Sequence, residues 1–294
     1  MGAPHPAGIG QLVDRKPRDD EIDVFGLTHT GLVREVNQDN FLIAGMRKQM
    51  LIHLTSLPEP DKIGGNERVA LFGMVADGVG GGPRGEVASR FAAEAITRYV
   101  AESVRRYYAA DLTDEMAFLR SLEEGALHCH MDPTRRAQDD SELEGMATTL
   151  TLWIGVWPRA YLLQVGDSRC YILRGGELTQ ISRDQTLAQD LIDQGVFTRA
   201  DAENSRWANV LASAIGGPQA APIVTRLEQR WGDIGLLCSD GLTKHVPDAR
   251  IRERLQSMTS SRQACEALLA DALEAGGSDN ITVVVGRTIR RDDG

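Results

Sequence analysis

RVALFGMVADGVGGGPRGEVASRFAAEAITRYVAESV, residues 68–104, carries a strand, a glycine-rich turn and a long helix in one stretch. Its first ten residues are mostly apolar and end on Asp77, the pattern of a strand covered on both faces. Beyond the turn, Val87, Phe91, Ala95, Ile96, Tyr99 and Val100 recur at three- and four-residue spacing, which predicts a helix with one apolar face. Gly80, Gly82 and Gly85 match G-x-G-x-x-G with Glu102 downstream, so the stretch imitates the opening of a dinucleotide-binding unit. Two features argue against that reading. Asp77 would face the pyrophosphate, and no strand follows the helix within the ~30 residues that a βαβ unit takes. The glycines fit better as a flexible loop that positions Asp77 and the Gly78 carbonyl at the end of the strand.

The rest of the chain supports an α+β fold. A second helix is expected from about Asp114 to His130, with Met116, Leu119, Leu122 and Leu127 on its apolar side. Strand-like runs lie at 23–32, 39–45, 148–157, 160–167, 169–181, 223–231, 234–240 and 280–289, and two further helices near 248–258 and 261–275. Most strands follow one another through tight turns, and the helices come in pairs. That favours a sandwich of antiparallel sheets flanked by helices over a doubly wound parallel sheet. Residues 1–20 lack periodicity and read as a loose leader. Residues 46–68, with two prolines and a Gly-Gly pair, read as a hairpin-like insertion, and 183–217 as a polar, irregular stretch with one short helix at 186–195.

Composition narrows the chemistry. The hydrophobic share of 42% and charged share of 25% are those of a globular protein. A net charge of −10 argues against nucleic-acid or membrane binding, since phosphate backbones and anionic lipids select basic surfaces. Cys129, Cys170, Cys238 and Cys265 form no C-x-x-C pair and read as reduced, mostly buried thiols. No signal sequence opens the chain, and no apolar run approaches the ~18 residues of a membrane helix, so a cytoplasmic location is expected.

The acids at strand ends carry the chemistry. Asp77 and Asp240 each end an apolar run and precede a glycine, Asp279 precedes Asn280 and a strand, and Asp39 lies in NQDN just before another. Any one alone fits a turn or a helix cap. Four at equivalent positions, gathered at one rim, would repel one another unless cations bind between them. An all-oxygen set suggests magnesium, manganese or calcium over zinc or copper. Two such ions ~3.5–4 Å apart would clamp a phosphoryl group and supply hydroxide near neutral pH. Arg34, five residues before Asp39, could grip phosphate oxygens in a bidentate fork or, more plainly, pair with Glu35 or a nearby acid.

Together the blocks REVNQDN (34–40), VADGVGGGPRGEVAS (75–89), EGMATTL (144–150), VGDSRCYILRGGEL (165–178), NVLASAIGG (209–217), LLCSDGL (236–242) and SDNITVVV (278–285) resemble, in order, the bacterial form of the metal-dependent protein phosphatases, protein phosphatase 2C. The resemblance implies a four-layer α-β-β-α sandwich with two central antiparallel sheets, and one catalytic domain over 21–290. It implies two cations, Mn²⁺ or Mg²⁺, with Asp77 bridging both and Gly78 ligating through its carbonyl. Asp240 and Asp279 would complete the first site, Asp39 would serve the second, and Arg34 would hold the phosphate. Residues 183–217 would be a flap over the site. Asp167 is left out of the ligand set because its family role is to hold a turn.

Three positions depart from the family pattern. Val79 stands where eukaryotic members carry a histidine proposed as general acid. Glu142 stands where bacterial relatives place an aspartate for a third cation, so a third ion would be weak. Asp184-Gln185 replaces Asp-His before the flap. The resemblance implies a serine/threonine phosphatase acting on phosphoproteins, among them kinases and kinase substrates, and the single-domain length without a large exposed apolar helix face favours a monomer. A pseudophosphatase scaffold and a hydrolase of small phosphate esters remain as alternatives.

Overall fold

Strand pairing places the two ends of the glycine-rich stretch. The computed structural model describes residues 15–49, 66–79, 83–109, 115–139, 145–203 and 205–291. In one sheet, β1 (Ile22–His29), β7 (Arg169–Arg174), β8 (Glu177–Gln180), β10 (Ile234–Cys238) and β11 (Ile281–Thr288) run in the order β1-β11-β10-β7-β8. In the other, β2 (Asp39–Gln49), β3 (Asn66–Val79), β5 (Leu150–Val156), β6 (Arg159–Val165) and β9 (Ile223–Glu228) run β2-β3-β5-β6-β9, and β4 (Ala147–Thr148) joins the end of β3. Every pairing is antiparallel. β2 and β3 stay paired from Asp39 opposite Asp77 out to Gln49 opposite Asn66, so the arms of the 46–68 hairpin are present; residues 50–65 lie outside the described set.

The helices are α1 (Pro83–Ala109), α2 (Glu115–Asp139), α3 (Leu187–Asp193), α4 (Arg199–Glu203), α5 (Asp240–Thr243), α6 (Asp248–Gln256) and α7 (Ser261–Glu274). α1 and α2 cover the β2-containing sheet through Ile96, Val100, Phe118 and Leu122, packed on Met74, Leu150 and Ile154. α6 and α7 cover the other sheet through Ile251, Leu255 and Leu268, packed on Leu236, Val283 and Val285. Val75, Leu162, Cys170, Leu237 and Val284 fill the space between the sheets. The result is the expected four-layer sandwich, in which each fully buried Leu or Ile contributes about 1.5–3 kcal/mol. All four cysteines are free and buried. No helix among the described residues is long and apolar enough to cross a membrane.

Several details differ from the sequence expectation. The innermost stripe of α1 is Ala88, Ala92, Ile96, Val100 and Val104. Small alanines let the helix lie close to the sheet, which turns Val87, Phe91 and Tyr99 toward its flanks. On α2 the buried face is Phe118, Leu122, Ala126 and Cys129, while Met116 and Leu127 are exposed. Tyr99 fills the space over Gly125, where a Cβ would come within 2.4 Å of the ring. The stretch 183–217 carries two short helices rather than one. Residues 15–20 are not a loose leader: Arg15 clasps the buried Glu21 carboxylate with two 2.6 Å bonds, and Asp19–Glu21 form a 3-10 turn.

An ion cluster ties α6 to α7. Arg254 and Arg250 both grip Asp271, with the Arg254 contacts at 2.6 and 2.7 Å, and hold its carboxyl down at about 2. A depressed carboxylate stabilises the fold above its unfolded value of 3.8 and loses that contribution as pH falls through 2. Asp271→Asn is therefore expected to lower the melting temperature at pH 7, with the gap to the parent closing below about pH 4. Thermal melts across that range test it.

Candidate metal centre

Each sheet delivers two of the four acids to the same end of the sandwich. Asp39 opens β2 and Asp77 lies near the end of β3, directly opposite each other across the ladder. Side chains so paired stand about 4.5–5.5 Å apart at Cβ. From the other sheet, Asp240 follows β10 as the first residue of α5, and Asp279 precedes β11.

Backbone contacts fix these positions, and they require glycine. A Cβ on Gly78 would lie 2.2 Å from the Gly85 carbonyl oxygen, and one on Gly241 would lie 1.9 Å from that of Asn280. Gly85 is thus held against Gly78 at the start of α1, which accounts for one glycine of the decoy motif; Gly80 and Gly82 lie outside the described residues. Thr149 and Thr148 pin the Asp77 backbone: Asp77 N donates to Thr149 Oγ1 (3.0 Å), and its carbonyl accepts from Thr149 N and Thr148 Oγ1 (both 2.9 Å). Asn280 ties down the loop that bears Arg34. Its Nδ2 donates to the carbonyls of Thr30 and Val36, and its Oδ1 accepts from Gln38 N at 2.8 Å.

Asp39 is nearly buried, at 4% exposure. Its Oδ2 accepts from Ser239 and Thr282 hydroxyls, both at 2.7 Å, while the buried Oδ1 has no hydrogen-bond partner among the described residues. Burial, opposed by those two hydroxyls and assisted by Asp240 and Asp279, pushes its carboxyl up to about 6. Asp77 is raised further above the usual range, first by burial and then by Asp39. An orphaned carboxylate oxygen beside a second acid held in the same state is a place where a cation removes both penalties.

Asp240 and Asp279 are neutralised differently. Lys244, which caps the C-terminal end of α5, donates to Asp240 at 2.6 Å and Asp279 at 2.8 Å, and Arg34 forks onto Asp279 at 2.8 and 3.0 Å. These cations outweigh burial and hold Asp279 below the usual range. Arg34 is therefore paired with an acid of the centre, a partner that its position five residues before Asp39 does not reveal. Among the described residues no three His, Cys, Asp or Glu side chains close around a single point. The acids instead form two pairs, one per sheet. The donors are all oxygen and one is orphaned, so the set fits a hard divalent cation.

Asp167 adds a fifth acid. The turn that it was expected to hold is secured by neighbours: Ser168 bonds Thr149 and Thr151, and Gly166 N donates to Gln185 Oε1. The Asp167 carboxyl lines a cleft of about 920 Å³ together with Asp240 and Lys244, under α3 and α4. Burial, Asp240 and Asp184 push it to about 7. Glu142 lies outside the described residues. Sequence reasoning missed Thr148, Thr149, Ser239, Lys244 and Thr282 as supports of the acids. Their only signal was position, since Thr148, Thr149, Ser239 and Thr282 lie inside the quoted blocks and Lys244 stands two residues beyond one.

An acid centre shared between two antiparallel sheets, under helices on both outer faces, defines the architecture of a metal-dependent phosphatase. The sequence profile of protein phosphatase 2C matches residues 55–275, and the chain belongs to that family. It is 37% identical over 220 residues to serine/threonine protein phosphatase PstP of Mycobacterium tuberculosis, covering 75% of this chain and 41% of that protein. The chain thus spans about two-fifths of the length of that relative. It is 31% identical over 213 residues to serine/threonine phosphatase stp of Listeria innocua, covering 72% of this chain and 82% of the relative. The crystal structure of the PstP catalytic domain in complex with two manganese ions superposes with a TM-score of 0.68 at 30% identity, over 92% of this chain and 99% of that one.

Proposed function

We propose that the protein hydrolyses phosphoserine and phosphothreonine esters in proteins with the help of two divalent cations, manganese or magnesium. The observation that carries this reading is the orphaned Asp39 Oδ1, opposite Asp77, at the end of the sandwich where the other sheet presents Asp240 and Asp279. Asp39, Asp77, the Gly78 carbonyl, Asp240 and Asp279 would hold the cations. The ions would supply charge neutralisation for the phosphoryl group and a hydroxide nucleophile near neutral pH. The two manganese ions in the PstP structure support that assignment.

The chain's own groups do the rest. Ser239 and Thr282 orient Asp39 by binding one oxygen and leaving the other free. Thr148 and Thr149 fix the Asp77 backbone, so the acid cannot retreat as charge gathers around it. Arg34, half exposed on the Asn280-anchored loop, would swing from Asp279 to the substrate phosphate and hold it in a fork. A third ion at Glu142 rests on the resemblance alone.

Phosphoproteins, including serine/threonine kinases and their substrates, are the proposed partners, with the enzyme acting as a monomer in the cytoplasm. Arg34→Ala is expected to raise KM for a phosphothreonine peptide about 10–100-fold, the loss of one charge-assisted contact, with kcat changed less. Steady-state kinetics with manganese check this, and an unchanged KM would remove Arg34 from the site.

A further inference from the structure

A second site lies at the far end of the sandwich. On one sheet Gly235 stands opposite Gly286 and Ile172, and Gly286 opposite Val24. On the facing sheet Gly73 stands opposite Trp153, and Gly155 opposite Leu71. These are the rows that point between the sheets, because Val75, Cys170, Leu237 and Val284, two residues along the same strands, fill the inter-sheet core. The missing side chains of Gly73, Gly235 and Gly286 leave a cavity of about 130 Å³, walled by Val24, Trp153, Ile172, Leu237 and Val284, while the Gln229 amide lies over Gly155. Gly73 is four residues from Asp77 on β3, and Gly286 is seven from Asp279, so the cavity is ~13–23 Å along the strands from the acids.

A mainly apolar hole of this size has room for a guest about as large as benzene, with longer guests reaching the mouth. The mouth is basic. Lys16, Arg68, Arg230 and Arg287 line it against the single acid Asp233. Three of these cations are committed, Lys16 to Glu67, Arg68 to Asp19 and Arg287 to Asp23, and Asp233 itself is held by Arg174. The Arg230 side chain has no ion-pair or hydrogen-bond partner among the described residues. Next to it, the buried indole Nε1 of Trp231 also lacks one, and that ring stacks edge-on against Trp157 of the cavity lining at 5.7 Å.

We propose that this cavity is a binding site for small carboxylates with an unbranched or aryl tail of about six to eight carbons, the tail between the sheets and the carboxylate on Arg230. The site is separate from the metal centre and independent of the phosphatase reading. Its guest would touch both sheets, each of which carries two of the four acids.

Calorimetric titration and thermal melts of the full chain with octanoate, hexanoate and 1-octanol test the proposal. Octanoate is expected to bind one per chain and raise the melting temperature saturably. Hexanoate should bind about fifteenfold more weakly, at roughly fourfold per methylene, and 1-octanol at least about tenfold more weakly. Gly235→Val fills the cavity and should abolish octanoate binding. Arg230→Gln, at the surface, should bring octanoate down to the level of 1-octanol while leaving the alcohol unchanged, and it decides the matter should Gly235→Val not fold. Absence of saturable binding, 1-octanol matching octanoate on the parent chain, or octanoate binding unchanged in either variant would overturn the proposal.

Discussion

Asp77→Asn is expected to lower manganese-dependent hydrolysis of p-nitrophenyl phosphate by ~10³-fold or more, the loss of several kcal/mol of charge stabilisation at the reacting phosphate. The fold should survive. Without a cation, burial and the neighbouring Asp39 already favour the neutral form of Asp77, which an asparagine copies in shape. Removing one of two opposed acids also removes their repulsion, so the metal-free variant should melt no lower than the parent. What it should lose is the rise in melting temperature on adding manganese. Asp240→Asn should give the same loss of activity from the other sheet. A variant that keeps both the activity and the manganese-induced shift would show that the acid pair is structural.

The second large effect is expected at Asn280. Its amide makes three hydrogen bonds, to Thr30 O, Val36 O and Gln38 N, and these fasten the 30–38 loop over the start of β11. Asn280→Ala leaves a buried Gln38 N–H and two carbonyls without their partner, at about 1–3 kcal/mol for the buried donor alone. Arg34 rides on that loop and Asp39 directly follows it at the start of β2, so the damage should reach the site as well as the fold. We expect a fall in melting temperature of several degrees, a raised KM and weaker manganese affinity together. Asn280→Asp keeps Oδ1 as an acceptor for Gln38 N but turns a carboxylate oxygen onto the Thr30 and Val36 carbonyls beside the acid cluster, and should be no milder than Asn280→Ala. Unfolding curves and manganese titrations read out the result; a change in stability with unaltered KM and metal affinity would confine Asn280 to the fold.

The architecture was legible because apolar runs and tight turns constrain strands strongly. The 68–104 stretch already excluded a parallel βαβ unit, and the pairing of β3 with β2 and β5 agrees. Helix rotation was less legible. On α1 and α2 the largest apolar residues suggested the buried face, but close approach to a sheet favours small ones, so Ala88 and Ala92 face inward and Met116 faces out. The four acids could be found because each interrupts an apolar strand end. Their partners could not, since Lys244 and Arg34 reach Asp279 only after separate loops meet. The Asp39 cradle of Ser239 and Thr282 joins residues 200 and 243 positions away in the chain, beyond the reach of any local pattern. The cavity between the sheets had no sequence signal at all: its glycines matter only through the register that aligns them.

The central claim is that acids from two sheets serve one metal-dependent phosphatase site. It is tested most directly by assaying the purified protein on a phosphothreonine peptide with manganese, after EDTA, and after manganese is restored. Phosphate release should be present with manganese, absent in EDTA and recovered on re-addition. Release that continues undiminished in EDTA would contradict the account.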